Sequence, residues 1–441
     1  MRSELLLATG AMEAGFVHAC GTSGYFSLLM QGERGKQQSS HLVRDMDRIL
    51  RNSDPTIETW ISQNQFTRPN RRAVNLGSIG SLFADLDTYR QHWAAGKAPE
   101  QLADEVLNFC VQEGLPTPSL LIYSGRGIQA KWLLTNGLTR AGLPRWNACQ
   151  RSLGQALSYL GSDQRAQDVS RVLRLVSTVN SKSGQICRVV HVEHGSGGQP
   201  RRYDFDHLEK ALPSLSPEVG RQHVVRQKPP QIELSAGGAR SGLHRTSGKN
   251  LAWDRLEDLR ALVQMRGGLR EGERMTFLFW SLNFLLLSGV VKSSGMHLEA
   301  EAIVRELAPG WADYRREELA TLYSKAKRFE AGEVVEFGKQ KHSPLYTPRN
   351  DTLINLFQIT DEEQRQLRTI ISHDIKKERN RARSAARRKA AGAVSREEYL
   401  ALSNEKRRKS KELSAQGLTR AAIAERLDIS RSAVDRYLTQ R

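Results

Sequence analysis

The chain has 441 residues, 39% of them hydrophobic, which is enough for a buried core and for about two to four domains. Its 66 Lys and Arg against 48 Asp and Glu leave a formal charge of +18, and residues 375–441 alone hold 19 of the bases against 8 acids. A polyanion is the expected partner; nucleic acid is favoured over a membrane surface, because the basic tail lacks the broad leucine or aromatic face that an interfacial helix inserts.

In chain order, Met1-Arg2-Ser3-Glu4 places an acid where a signal peptide would begin its apolar run, and the scattered Cys20, Cys110, Cys149 and Cys187 predict reduced thiols, no structural zinc and a cytoplasmic setting. Residues 1–225 mix short strand-like runs (119–123, 186–192) with helical stretches (101–112, 145–160), an α/β or α+β pattern. A linker is expected over 226–250, where Pro229-Pro230 and Gly237-Gly238 interrupt any periodicity. Residues 251–335 read as a helical accessory domain, with an apolar helix from Met275 that is too short to span a bilayer. An irregular linker follows over 336–360, a basic helical segment over 361–412 with one long helix from Asp361 to Ala390, and a helix-turn-helix over 413–441. The stretch Gly242–Asn250 has five residues between its glycines and Asn250 where Ser or Thr would bind Mg²⁺, so no nucleotide-hydrolysing motor is encoded.

Three segments carry chemistry. Ser81-Leu82-Phe83-Ala84-Asp85-Leu86-Asp87 is an apolar strand ending in two carboxylates spaced i, i+2, which share a face of a strand and call for a divalent cation with hard oxygen ligands, Mg²⁺ or Mn²⁺. Leu121–Trp132 reads as strand, glycine turn and strand, in which Ser124, Gly125, Arg126 and Gly127 let backbone N–H groups approach a phosphate, with Arg126 and Lys131 adding charge. Asp163–Leu175, followed by Thr178, Asn180 and Lys182, offers a third carboxylate, Asp163 or Asp168, beside the cations Arg171, Arg174 and Lys182. His191-Val192-Glu193-His194 reads as a surface cluster, since His191 and Glu193 would share a strand face that His194 does not.

In that order the segments resemble the archaeo-eukaryotic primase superfamily, in particular the primase and primase-polymerase domains of plasmid and phage replication proteins, over residues 55–195. The resemblance implies an α+β catalytic domain followed by a small helical domain. It implies that Asp85 and Asp87 bind catalytic metals, that Asp163 or Asp168 completes the acidic set, and that the Ser124–Gly127 turn holds an incoming nucleoside triphosphate. Arg171, Arg174 and Lys182 would contact nucleotide or template phosphates, on a single-stranded DNA template, with a helicase supplied separately. Gln129 stands where the family usually has a histidine on the triphosphate, Lys131 where it often has tyrosine, and Val176-Ser177 where it has Pro-Gly. Glutamine can donate a hydrogen bond to phosphate but carries no charge, so Lys131 or Arg126 is expected to supply it.

The C-terminus adds Gly417–Leu427, a turn at Asp428-Ile429-Ser430 and a second short helix from Arg431, which resembles a helix-turn-helix with Ser430 as N-cap. Arg431, Ser432, Asp435 and Arg436 would face a duplex major groove, and Arg379, Arg381, Arg383, Arg387, Arg388 and Lys389 its phosphates. The expectation is a primer-synthesising replication primase of a plasmid, phage or integrative element. Its rivals are a non-catalytic initiator or regulator that binds DNA through the helix-turn-helix, and a metal-dependent nuclease, which leaves the Arg171–Lys182 segment unexplained.

Overall fold

The computed structural model describes residues 9–20, 23–213, 248–270, 272–311, 314–337, 340–391 and 396–439. The chain divides into two compact units, residues 1–370 and 371–441. It is α+β, one of the two classes that its sequence pattern admits.

The first unit is built on one ten-stranded sheet. In chain order the strands are β1 (Tyr25–Gly32), β2 (Gly35–Leu42), β3 (Thr59–Ser62), β4 (Asn64–Phe66), β5 (Leu76–Leu86), β6 (Leu120–Tyr123), β7 (Ile128–Thr139), β8 (Val172–Arg174), β9 (Arg188–Val192) and β10 (Arg202–Tyr203). The spatial order is β8-β3-β1-β4-β5-β7-β6-β9, with β2 paired to β1 and β10 to β7. The spine is the long antiparallel pair β5–β7, in which Phe83 faces Lys131 and Asp85 faces Gln129.

Helix α1 (Gly10–Val17) lies against this sheet: Ala11 and Ala14 join Phe26, Leu28 and Ile61, while Val17 joins Leu120, Ile122 and Leu133. After the short α2 (Met46–Arg51) and α3 (Pro99–Gln112), helix α4 (Leu143–Ala156) packs on β5, where the Trp146 ring meets Phe83 at 5.9 Å and its indole N–H donates to the Ser81 carbonyl at 2.9 Å. Helix α5 (Phe205–Ala211) closes the sheet-bearing part, with the Arg145 guanidinium held by Asp206 and Glu209.

The expected linker lies outside the described residues as far as 247, and from Gly248 the chain is already helical. The helical part comprises α6 (Gly248–Met265), α7 (Arg274–Leu287), α8 (Met296–Leu307) and α9 (Ala320–Glu330). It is bound to the sheet-bearing part by buried polar ties rather than separated from it. The Glu299 carboxylate accepts from the backbone N–H groups of Ala73 (3.0 Å) and Val74 (3.1 Å), Arg260 donates to the Val74 carbonyl at 2.7 Å, and Asn147 donates to the Gly289 carbonyl at 2.9 Å. Removing the Glu299 carboxylate would orphan two buried donors at about 1–3 kcal/mol each.

Two expectations are corrected here. Residues 336–360 are not irregular: β11 (Val335–Phe337) and β12 (Gln340–His342) form a hairpin, the Asn283 amide holds the Tyr346 backbone from both sides, and α10 (Asn350–Phe357) follows. Nor does one helix run from Asp361 to Ala390. Helix α11 (Asp361–Gln366), capped by Thr360, stops at Leu367. The Asp258 carboxylate then takes the N–H groups of Arg368, Thr369 and Ile370 and the Thr369 hydroxyl at 2.6–2.9 Å. Those donors are spent on a side chain from α6, so the backbone there cannot continue a helix.

The second unit begins with α12 (His373–Ala390), on which Arg381, Arg383, Arg387 and Arg388 are exposed and Arg379 is half-buried; the side chain of Lys389 lies outside what the structure describes. Helices α13 (Arg396–Ala415), α14 (Arg420–Leu427) and α15 (Arg431–Thr439) bury Ser410, Ile423 and Val434. Asp428 ends α14 in the left-handed region and the Ser430 hydroxyl oxygen accepts the Ala433 N–H at 3.3 Å at the start of α15.

Candidate active site

The site grows from a gap in the sheet. β4 accompanies β5 only as far as the pair Asn64 and Ile79, so beyond that point one edge of β5 has no strand beside it. Its backbone groups still need partners. The Gln150 side chain from α4 supplies the first, exchanging hydrogen bonds with both the N–H and the carbonyl of Phe83. The segment Gly161–Asp163 supplies the rest: the Asp163 N–H donates to the Asp85 carbonyl (2.8 Å), the Asp87 N–H to the Gly161 carbonyl (2.9 Å), and Leu86 bridges Ser162. Gly161 turns in at φ +87°, and a Cβ there would stand 3.1 Å from the Asp87 carbonyl oxygen.

This pairing gathers three carboxylates. Asp85 is the penultimate residue of β5; Asp87 follows the strand with ψ near 57° and meets Arg90 at 3.5 Å; Asp163 accepts the Arg165 N–H at 2.9 Å. Burial, and after it the charges of Asp87 and Asp163, push the Asp85 carboxyl up to about 6, against the pull of Arg171 and Arg174. Hard oxygen donors that repel one another are suited to a divalent cation, and Mg²⁺ takes few protein ligands while retaining water and substrate oxygens. Among the described residues no three His, Cys, Asp or Glu side chains form a ready metal cage.

Asp168 goes elsewhere. Its carboxylate accepts from the Ser170 hydroxyl at 2.6 Å and pairs with Arg171 at 2.9 Å, which also donates to the Arg165 carbonyl.

The turn between β6 and β7 comes up beside the end of β5. The Ser124 N–H donates to the Gly127 carbonyl (2.9 Å), the Ser124 hydroxyl lies 3.2 Å from the Gly127 N–H, and the Gly125 carbonyl accepts from the Tyr123 hydroxyl (2.9 Å). Gly127 approaches so closely that a Cβ would sit 2.3 Å from the Leu86 carbonyl oxygen. The Asn180 amide ties the loop that bears Lys182 to the turn, donating to the Ser124 carbonyl at 2.9 Å and accepting the Lys182 N–H at 3.1 Å. Lys182 is exposed, and the Arg126 guanidinium lies 4.0 Å over the Tyr89 ring. Arg174 is buried, paired with Glu58 at 2.7 Å and stacked on Trp60.

Lys131 is a correction. It is fully buried and its ammonium pairs with Glu13 of α1 at 2.6 Å, so it carries no charge to the turn. The strand alternation that sends Lys131 and Leu133 toward α1 also sends Gln129 to that face, directly across from Asp85. Gln129 is 3% exposed and its Oε1 has no hydrogen-bond partner. Glu13 and Gln150, which sequence reasoning missed, bear no motif; only their distant partners reveal them. His191 and Glu193 do form a surface pair, 3.5 Å apart, and in the second unit Arg431, Ser432 and Arg436 are exposed while Asp435 pairs with Arg420 at 2.9 Å.

No protein-family model matches the chain. A protein from Clostridium perfringens described as "Replication protein" is 27% identical over 332 residues, which span 75% of this chain and 71% of that one. Among solved structures, the archaeo-eukaryotic primase domain of the cyanophage S-2L primase-polymerase superposes with a TM-score of 0.33 at 15% identity, covering 48% of this chain and 98% of that one. Primase RepB′ superposes with a TM-score of 0.31 at 13% identity, covering 73% and 99%. No described helix is long and apolar enough to cross a membrane.

Proposed function

We propose that the chain is a replication primase that extends a 3′-hydroxyl with nucleotides on a single-stranded DNA template, for a plasmid, phage or integrative element. The observation that carries this reading is the gathering of Asp85, Asp87 and Asp163 at one end of β5, beside a glycine turn and an exposed lysine. The similarity to a replication protein supports the biological setting.

Asp85, Asp87 and Asp163 would hold Mg²⁺ or Mn²⁺, which would offset the negative charge of the triphosphate and ease deprotonation of the attacking 3′-hydroxyl. The Ser124–Gly127 turn would present backbone N–H groups to the triphosphate, with Arg126 and Lys182 as its cations. Gln129 would meet a polar group of the nucleotide or of bound water through its unpartnered oxygen. In the second unit, α14 and α15 would act as a helix-turn-helix, with Arg431, Ser432 and Arg436 toward a duplex and the α12 arginines on its phosphates.

The test is primer synthesis on single-stranded DNA with Mg²⁺ or Mn²⁺, wild type against Asp85→Asn. A second reading, a non-catalytic initiator, is favoured by Gln129 in place of the histidine and by the sequestered Lys131. It requires duplex binding by a wild-type protein that incorporates no nucleotide in that assay.

A further inference from the structure

A cleft of about 990 Å³ opens in the first unit between the sheet-bearing part and the α6–α8 helices, away from the glycine turn. Five cations line it: Arg72, Arg151, Arg165, Lys249 and Lys292. Two acids also line it, and both are engaged. Glu299 is spent on the N–H groups of Ala73 and Val74, and Asp168 on Ser170 and Arg171. None of the five cations forms an ion pair with a described residue.

The cost of this arrangement is visible. Burial lowers the pKa of Arg151. Five cations facing two carboxylates leave an excess of positive charge that an anion relieves. The cations come from five separate stretches of chain around a cleft of about 990 Å³, which has room for several linked phosphates. The cleft volume is at the upper end of ordinary small-ligand sites, roughly 300–1,000 Å³. Its wall is held in shape by amides, Gln164 donating to the Gly154 carbonyl at 2.7 Å and Asn147 to the Gly289 carbonyl at 2.9 Å.

We propose that this cleft is a binding site for linked phosphates, those of a single nucleic-acid strand or of a nucleoside triphosphate, distinct from the carboxylate cluster on β5. The segment 163–170 is its shared wall, with Asp163 turned to the carboxylates and Arg165 to the cleft. The site goes beyond the primase reading and does not depend on it.

The experiment uses the full chain in EDTA, so that nucleotidyl transfer plays no part. Binding of fluorescein-labelled dT12 is followed by anisotropy across a salt series, and binding of ATP and of inorganic tripolyphosphate by calorimetry. Wild type is compared with Lys249→Gln/Lys292→Gln, two exposed positions whose folding is checked by circular dichroism, and with Arg151→Gln; Lys341→Gln, outside the cleft, is the control. Taking two cations away from the strand's phosphates lowers the salt slope for dT12 by roughly 1.4, at about 0.7 per phosphate on single strands. A lower dT12 slope with no ATP or tripolyphosphate binding identifies a strand; weakened ATP and tripolyphosphate binding with an unchanged dT12 slope identifies a free nucleotide. Unchanged binding of all three probes in the double variant overturns the proposal, whatever Arg151→Gln does.

Discussion

The backbone N–H of Asp163 donates to the carbonyl of Asp85 across 2.8 Å, so the third carboxylate reaches the first through main-chain pairing and not through its own side chain. Asp168, five residues on, is spent on Ser170 and Arg171. Asp85→Asn, Asp87→Asn and Asp163→Asn should each reduce nucleotide incorporation by at least ~10²-fold, whereas Asp168→Asn should leave it within about tenfold. Single-turnover incorporation rates check this, and near-normal synthesis by Asp85→Asn would sink the primase reading.

The raised pKa of Asp85 gives the metal-free protein a characteristic pH response. Because the folded value of about 6 exceeds the ordinary 3.8, the fold favours the neutral acid. The stability it contributes is fully present below about pH 4 and is lost as pH rises through about 6, by at most ~3 kcal/mol. Thermal midpoints in EDTA from pH 4 to 8 should therefore fall more steeply for wild type than for Asp85→Asn, and Mg²⁺ should narrow the gap. Parallel curves would show that the carboxyl is not strained.

The Glu13–Lys131 pair invites a double-mutant cycle. Lys131→Met alone leaves a buried carboxylate uncompensated and should cost ~3–5 kcal/mol, while Glu13→Met/Lys131→Met together should fall near wild type. Denaturant midpoints decide. A mild single mutant would mean that water reaches Glu13.

Gln129→Ala should raise KM for nucleotide by an amount equivalent to roughly 1.5–3 kcal/mol if its amide meets a charged group, and Gln129→His should preserve or raise kcat/KM. Kinetics indifferent to both would remove Gln129 from the site.

Deleting residues 371–441 should weaken duplex binding and flatten its salt dependence, by about 0.9 in slope for every phosphate that the tail neutralises. Filter binding over a range of salt concentrations tests it; an unaltered slope would make the basic helices a solvated surface.

Much of this was legible in the sequence. The apolar run into Asp85 announced β5, the glycines announced the turn, and Thr419, Asp428 and Ser430 announced the short terminal helices, because strand periodicity, turn residues and caps act within a few residues. What escaped was decided at long range. Lys131 looked available until Glu13, 118 residues earlier, was seen to neutralise it. The break before α12 depends on Asp258, 110 residues upstream of Arg368. The choice between Asp163 and Asp168 rests on which one falls beside the unpaired edge of β5, a question of register that composition does not address.

The bond from Glu299 back to Ala73 and Val74 spans more than two hundred residues. On the ribosome, a nascent chain that has emerged only as far as α5 already contains every strand of the large sheet, yet two of its amide groups have no carboxylate to receive them until α8 appears. The sheet-bearing part is thus synthesised first but finished late. A messenger truncated before residue 299 would yield a protein with Asp85, Asp87 and Asp163 all present and an unsettled loop just ahead of the strand that leads into the first two of them.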